Sequence, residues 1–192
     1  MNRLSKAGAP RATLLPATLA AALLVAGAGI AGLATAVLAP APAAAQDIEY
    51  IESNQDWHAF QFTENGNRVC YMASRPKSAE GDYSARGDIF ALVTHRPAEN
   101  ETFVFSVITG YTYEPGSAVE VSIDNENRFE LFTEDDTAWS HPEDQRNLVS
   151  AMRAGLDMII RGTSDRGTLT TDTYSLRGFT ATLETINEAC GV

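Results

Sequence analysis

Short stretches of alternating apolar and polar residues dominate this chain from about residue 57 onward. Trp57-His58-Ala59-Phe60-Gln61-Phe62 alternates, and Val69-Cys70-Tyr71-Met72 resumes after Glu64-Asn65-Gly66-Asn67. Two such runs around an Asn-Gly turn predict a hairpin. Ile89-Phe90-Ala91-Leu92-Val93-Thr94 and Phe103-Val104-Phe105-Ser106-Val107-Ile108 are β-branched and aromatic runs, which predicts two strands buried on at least one face. Val119-Glu120-Val121-Ser122-Ile123 and Arg128-Phe129-Glu130-Leu131-Phe132 flank Asp124-Asn125-Glu126-Asn127 and predict a second hairpin. Met158-Ile159-Ile160 and Leu169 to Tyr174 again have strand character.

Helical spacing comes late. Leu148, Val149, Met152 and Leu156 follow His141-Pro142-Glu143-Asp144, predicting a short helix from about Pro142 to Ala154 that stops at Gly155. Phe179, Leu183, Ile186 and Cys190 form one stripe of a terminal helix. Ser74 to Gly87, rich in Pro, Lys, Ser and Gly, reads as a surface loop. About seven short strands or more, with one or two short helices, predict a mainly β fold of the sandwich type.

The first 46 residues differ from the rest. Arg3, Lys6 and Arg11 are their only charges, and an Ala-, Leu- and Val-rich run follows, ending in Ala39-Pro40-Ala41-Pro42-Ala43-Ala44-Ala45. This order of basic, apolar and small residues predicts an export signal over residues 1–45, with the folded domain over 46–192. The run is long enough to span a bilayer, so an uncleaved membrane anchor is the alternative.

With that segment set aside, 25 acidic residues face 11 basic ones, a net of −14 against −11 for the whole chain. Such a balance argues against nucleic acid and against anionic lipid as partners, since both need a basic face. Contact with a membrane is then expected only if the N-terminal segment is retained.

Cys70 and Cys190 are the only cysteines. In an oxidising compartment a disulfide between them is the favoured reading, stapling the terminal helix to the strand that carries Cys70. A nucleophilic thiol and a metal ligand are the alternatives, and neither has a second Cys or His at ligand spacing.

No catalytic template is met. His58, His95 and His141 are far apart and form no helical metal pair. Ser164, in Gly162-Thr163-Ser164-Asp165-Arg166-Gly167, misses the spacing of a nucleophile elbow and reads as a turn serine bonded to its own backbone. Glu134-Asp135-Asp136 lacks the spaced oxygens of a calcium loop. No metal and no cofactor are expected. Arg86-Gly87-Asp88 spells an adhesion tripeptide, which needs an exposed loop tip to be read.

The block Gly162-Thr163-Ser164-Asp165-Arg166-Gly167-Thr168, followed by Thr170-Thr171-Asp172-Thr173-Tyr174-Ser175-Leu176-Arg177-Gly178-Phe179, resembles the invasion-associated locus B family of exported bacterial proteins. Further points of likeness are Trp57, Cys70-Tyr71, Ser74-Arg75-Pro76-Lys77, Arg86-Gly87-Asp88, Val93-Thr94-His95-Arg96-Pro97, Gly110-Tyr111, Ala138-Trp139, Ala151-Met152-Arg153-Ala154-Gly155 and Cys190. The likeness spans about residues 55–191. The resemblance implies an immunoglobulin-like β-sandwich in the bacterial envelope, an association with host-cell invasion in some members, and no established catalytic residues or cofactor.

Within the block, Thr170, Asp172 and Tyr174 alternate against Leu169, Thr171 and Thr173, so hydroxyls bonding across strands and a Tyr174 anchored by its own hydroxyl are expected. Arg166 is expected either to pair with Asp172 or to present its guanidinium to an anionic partner. Arg166, Asp172 and Tyr174 are therefore the candidate binding or structural signature. Three functions follow: a non-catalytic envelope domain that binds an envelope or host protein or a glycan, favoured; a small hydrolase or lyase using His95, Asp172 and Arg166; and a periplasmic assembly or chaperone-like factor.

Overall fold

The structure, a computed structural model, describes residues 47–192. The predicted export signal, and the anchor alternative to it, lie outside the described residues. Among the described residues no helix is long and apolar enough to cross a membrane.

Eleven strands and two helices make the domain mainly β. The strands are β1 (Glu49–Asn54), β2 (Trp57–Glu64), β3 (Asn67–Ser74), β4 (Ser78–Gly81), β5 (Phe90–Arg96), β6 (Glu101–Ile108), β7 (Ala118–Ile123), β8 (Asn127–Glu134), β9 (Thr137–Ser140), β10 (Asp157–Thr163) and β11 (Leu169–Ser175). Helix α1 (Gln145–Ala154) stands between β9 and β10, and α2 (Phe179–Cys190) closes the chain. Every stretch whose periodicity predicts a strand or helix forms one.

Three strands have no such signal. β1 is a charged, largely exposed edge, β9 has four residues, and β4 lies inside the stretch expected to be a loop. That expectation is corrected: Ser78–Gly81 pairs with Thr170–Thr173 of β11, so backbone bonding to a neighbour makes the strand where side chains do not.

All pairings are antiparallel and run in one unbroken order, β1-β2-β3-β5-β6-β9-β8-β7-β10-β11-β4. The strands are thus joined as one hydrogen-bonded sheet, without the break that would divide them into two. β3 and β4 lie eight positions apart, about 38 Å in a flat sheet. Only residues 75–77 join them, a reach of about 15 Å. The sheet must therefore curl over on itself. Trp57 Nε1 on β2 donates to the carbonyl of Ser175 at the end of β11 (3.0 Å), and Lys77 N–H donates to Thr173 O (2.7 Å), closing the curl.

The inner face holds Trp57, Met72, Val93, Phe105, Val121, Leu131, Met158 and Tyr174, all fully buried or nearly so. Helix α2 lays Phe179, Leu183 and Ile186 onto this face across β2 and β3, and the Trp57 and Phe179 rings meet edge to face at 5.0 Å. Each such side chain contributes about 1.5–3 kcal/mol on burial. Helix α1 buries Leu148, Val149 and Met152. It begins at Gln145, later than Pro142, because Asp144 N–H bonds back to His141 O in a separate turn.

Gly178 precedes α2 with φ +86°, and a Cβ there would lie 1.9 Å from the carbonyl oxygen of Asn54. Gly178→Ala is accordingly expected to destabilise the domain by about 1–3 kcal/mol, because the strained backbone and the contact with β1 cannot both be kept. Urea unfolding of the variant checks this; an unchanged midpoint would show that the α2 entry tolerates a side chain.

The Cys70–Cys190 disulfide is present, with Cα atoms 5.9 Å apart, and ties the last residue of α2 to β3. The thiol and metal-ligand alternatives are thereby removed.

Candidate functional site

Strand β11 points Thr170, Asp172 and Tyr174 inward, as the alternation predicts. What meets Asp172 is unexpected. β4 returns along β11, and the following segment is pinned by two glycines: Gly87 N–H donates to Gly110 O (2.9 Å), and a Cβ on Gly110 would lie 2.7 Å from the Gly87 backbone. That close approach swings Arg86 inward. Its Nη1 and Nη2 donate to Asp172 Oδ1 and Oδ2, each at 2.6 Å, while Nε and Nη2 donate to Thr109 O (2.7 Å) and Thr109 Oγ1 (2.8 Å). The two side chains are 4% and 2% exposed, a buried fork-on-fork pair.

Burial opposes the charge on Arg86, but the bonded Asp172 carboxylate more than offsets it and holds the guanidinium above its ordinary pKa. The guanidinium also lies 4.9 Å from the Tyr111 ring centre and 5.6 Å from that of Tyr83. Tyr111 Oη shares a hydrogen bond with Thr170 Oγ1 (2.7 Å). Deeper in, burial pushes the Tyr113 and Tyr174 hydroxyls far above the usual tyrosine range, with the Asp172 charge adding to both.

Two expectations are corrected here, and one weak candidate loses its ground. Arg166 does not pair with Asp172, because Arg86 occupies both carboxylate oxygens; Arg166 instead stands exposed on the β10–β11 turn. The Tyr174 hydroxyl is buried without a hydrogen-bond partner among the described residues, so the ring is anchored by packing and not by its oxygen. The Arg86-Gly87-Asp88 tripeptide is not a presented loop tip: Arg86 is buried, Gly87 packs on Gly110, and exposed Asp88 accepts from Arg75 (3.1 Å).

Nor does the structure assemble His95, Asp172 and Arg166. His95 is fully buried; its Nε2 bonds Asn187 Oδ1 on α2 (2.9 Å) and its Nδ1 accepts from Phe103 N–H (3.0 Å). Both ring nitrogens are satisfied only in the neutral Nε2–H form, and burial lowers the His95 pKa, partly countered by Asn187. A second proton on Nδ1 would face the Phe103 N–H.

The unfolded chain thus binds a proton more readily than the folded one, so this residue's stabilising contribution is complete above about pH 6.5 and is lost as pH falls toward the lowered folded value. Wild-type stability in urea is expected to drop between about pH 7.5 and about pH 5, and His95→Gln to flatten that part of the profile. Parallel profiles for the two proteins would refute the assignment to His95.

The other two histidines sit elsewhere. His58 pairs with Ser53 across β1 and β2, Ser53 in turn accepting from Tyr50 Oη (2.8 Å), and His141 leans on Phe132 (5.2 Å). Ser164 Oγ accepts from Thr168 N–H (3.2 Å), the turn-serine role its position predicts. Among the described residues no group of three or more His, Cys, Asp or Glu gathers in metal-binding fashion.

Above the buried pair opens a cleft of about 370 Å³ bounded by Tyr83, Tyr111, Arg166, Thr168 and Thr170. The other notable surface lies on the outer face of the sheet. Tyr50, Phe60 and Tyr71 occupy neighbouring positions on β1, β2 and β3; Phe60 stacks on Tyr71 at 5.1 Å and Phe62 meets Tyr71 edge-on at 6.0 Å. A depression of about 310 Å³ is lined by Ile48, Phe62, Tyr71, Leu92, Ile108 and Trp139. Ile48 and Tyr50 are more than half exposed, and Phe132 is 42% exposed. Sequence reasoning misses this face, although a signal for it exists: Phe90-Ala91-Leu92-Val93 is apolar at both parities, and two short helices cannot cover both sides of a sheet.

Among known protein families, the model described as "Invasion associated locus B (IalB) protein" matches residues 57–187. The chain belongs to this family. No curated protein and no solved structure matches it. The match takes in nearly the whole invasion-associated locus B domain, from Trp57 on β2 to Asn187 on α2, including Arg86, Asp172 and Tyr174. The disulfide of this family member fits an oxidising, extracytoplasmic compartment.

Proposed function

We propose that this family member is an exported, non-catalytic recognition domain of the bacterial envelope, binding an envelope or host macromolecule, protein or glycan. The observation that carries the reading is the outer sheet face. Among the described residues, aromatic and aliphatic side chains from β1, β2, β3, β5, β6 and β9 adjoin there without a covering helix. A mainly apolar patch of this kind, with Thr94, Arg96, Ser106 and Thr137 among its lining, favours a partner that removes it from water while meeting those polar groups.

The non-catalytic part of the reading rests on the commitments of the polar groups. The Asp172 side chain is 2% exposed with both oxygens bonded by Arg86, and His95 is fully buried with both nitrogens occupied, so neither group is open to a substrate at the surface. The association with invasion that the family description carries is part of the same proposal, as one setting in which the face would be used.

A photo-cross-linking side chain placed at Phe62 in the exported protein is expected to yield a discrete adduct in cells, and one at Glu126, on the β7–β8 turn, none. Leu92→Asp should abolish the adduct while leaving the unfolding midpoint near wild type. Equal adducts at both positions, or turnover of an ester, glycoside or peptide panel that a single substitution removes, would sink the reading. Adducts confined to unfolded outer-membrane proteins would favour the assembly-factor alternative.

A further inference from the structure

The cleft over the Arg86–Asp172 pair is a second, polar site whose floor is fixed and whose rim is free. In the floor, Arg86 is held by four hydrogen bonds, Tyr111 by Thr170, and the Tyr83 hydroxyl donates to Ala79 O (2.7 Å). These bonds hold the two tyrosine rings in position in the free protein.

Around them stand Asp82, Ser84, Thr112, Asp165, Arg166 and Thr168, and none of their side-chain polar atoms has a hydrogen-bond partner among the described residues. The cleft therefore combines preset aromatic rings, short hydroxyls, two carboxylates and one guanidinium in a volume suited to a small molecule.

Charge narrows the ligand class. Among the described residues, the only positive charge in the cleft not already neutralised is Arg166, and Asp82 and Asp165 outnumber it, within a domain of strong negative excess. A phosphate or other anion would meet net repulsion. An apolar molecule would strand the carboxylates and the guanidinium without water or partners.

A molecule with many hydroxyls avoids both costs. Its O–H groups donate to the carboxylates, its oxygens accept from Arg166, and the C–H face of a ring lies against tyrosine. We propose that this cleft binds a neutral saccharide of about one or two sugar rings. The site is separate from the outer aromatic face and does not depend on that face having a partner.

The test is a titration of the isotope-labelled exported protein with chitotriose, cellotriose and maltotriose as neutral probes and inorganic phosphate as the anion, read by backbone amide shifts. At least one neutral trisaccharide is expected to move the amides of Tyr83, Thr112 and Asp165 to Thr168 with millimolar affinity. Arg166→Ala and Asp82→Asn, both exposed and outside the buried pair, should weaken that binding about tenfold each at an unchanged unfolding midpoint.

The proposal is overturned by no shift at these amides with any neutral probe at about 10 mM, by shifts with phosphate alone, or by saccharide binding that neither substitution alters. Shifts confined to Phe60, Phe62 and Tyr71 would also overturn it while leaving the outer-face reading standing.

Discussion

Replacing Asp172 with alanine lowers the stability of this domain by about 3–5 kcal/mol, the largest expected effect of any single side-chain change here. The reason is the group left behind. The Arg86 side chain is 4% exposed and bonded through both terminal nitrogens to the lost carboxylate, so the variant keeps a buried cation with only the neutral Thr109 oxygens and the Tyr83 and Tyr111 rings against it. The same logic predicts a rescue. Arg86→Met combined with Asp172→Leu removes both charges and their desolvation together, and the double variant should regain most of the loss. Urea unfolding of the two singles and the double, as a mutant cycle, separates these outcomes. A shift equivalent to less than about 1 kcal/mol for Asp172→Ala would mean that water reaches and screens the pair.

Removing the disulfide is the second large effect. Cys70 and Cys190 are 120 residues apart in sequence, and closing so long a loop restricts the unfolded chain enough to account for about 4–5 kcal/mol in the loop-entropy model. Reduction also frees the C-terminal end of α2, whose Phe179, Leu183 and Ile186 cover β2 and β3. The double replacement of both cysteines by alanine should therefore unfold at a clearly lower urea midpoint, and its amides near Ile186 should exchange before those of β6. If stability were unchanged while exchange in α2 rose, the bond would be acting only on local fraying.

The disulfide and the buried ion pair differ sharply in how legible they are in the sequence. Two cysteines admit one intramolecular pairing and an oxidising compartment favours it, so the count together with the expected compartment makes the disulfide the favoured reading. The central strands and both helices are legible for a related reason: a face that must be buried imposes its period on neighbouring residues, as in Val119 to Ile123 or Phe179 to Cys190. β1, β4 and β9 are not, because edge or four-residue strands are held by backbone bonds to a neighbour and carry no such period.

The candidate site shows the same division. Its residue types are visible in the sequence, and the alternation along β11 singles out Asp172, but proximity in the chain offers Arg166, six residues away, as its partner. The actual partner, Arg86, is 86 residues distant and reads in sequence as part of an adhesion tripeptide.

Alternation, turn chemistry and cysteine count are local or combinatorial properties, so the chain by itself determined a mainly β, single-disulfide domain with a terminal helix. Which arginine neutralises Asp172, that Tyr174 is left without a hydrogen-bond partner among the described residues, and that aromatic and aliphatic residues of six strands meet on one face were decided only in the tertiary structure. A short β3–β4 link curls the sheet, and the Gly87–Gly110 contact then sets Arg86 beneath the cleft. Burial raises the cost of an unpaired charge from almost nothing in water to several kcal/mol, so it is the folding of the sheet, and not the spacing of residues, that selects the pair.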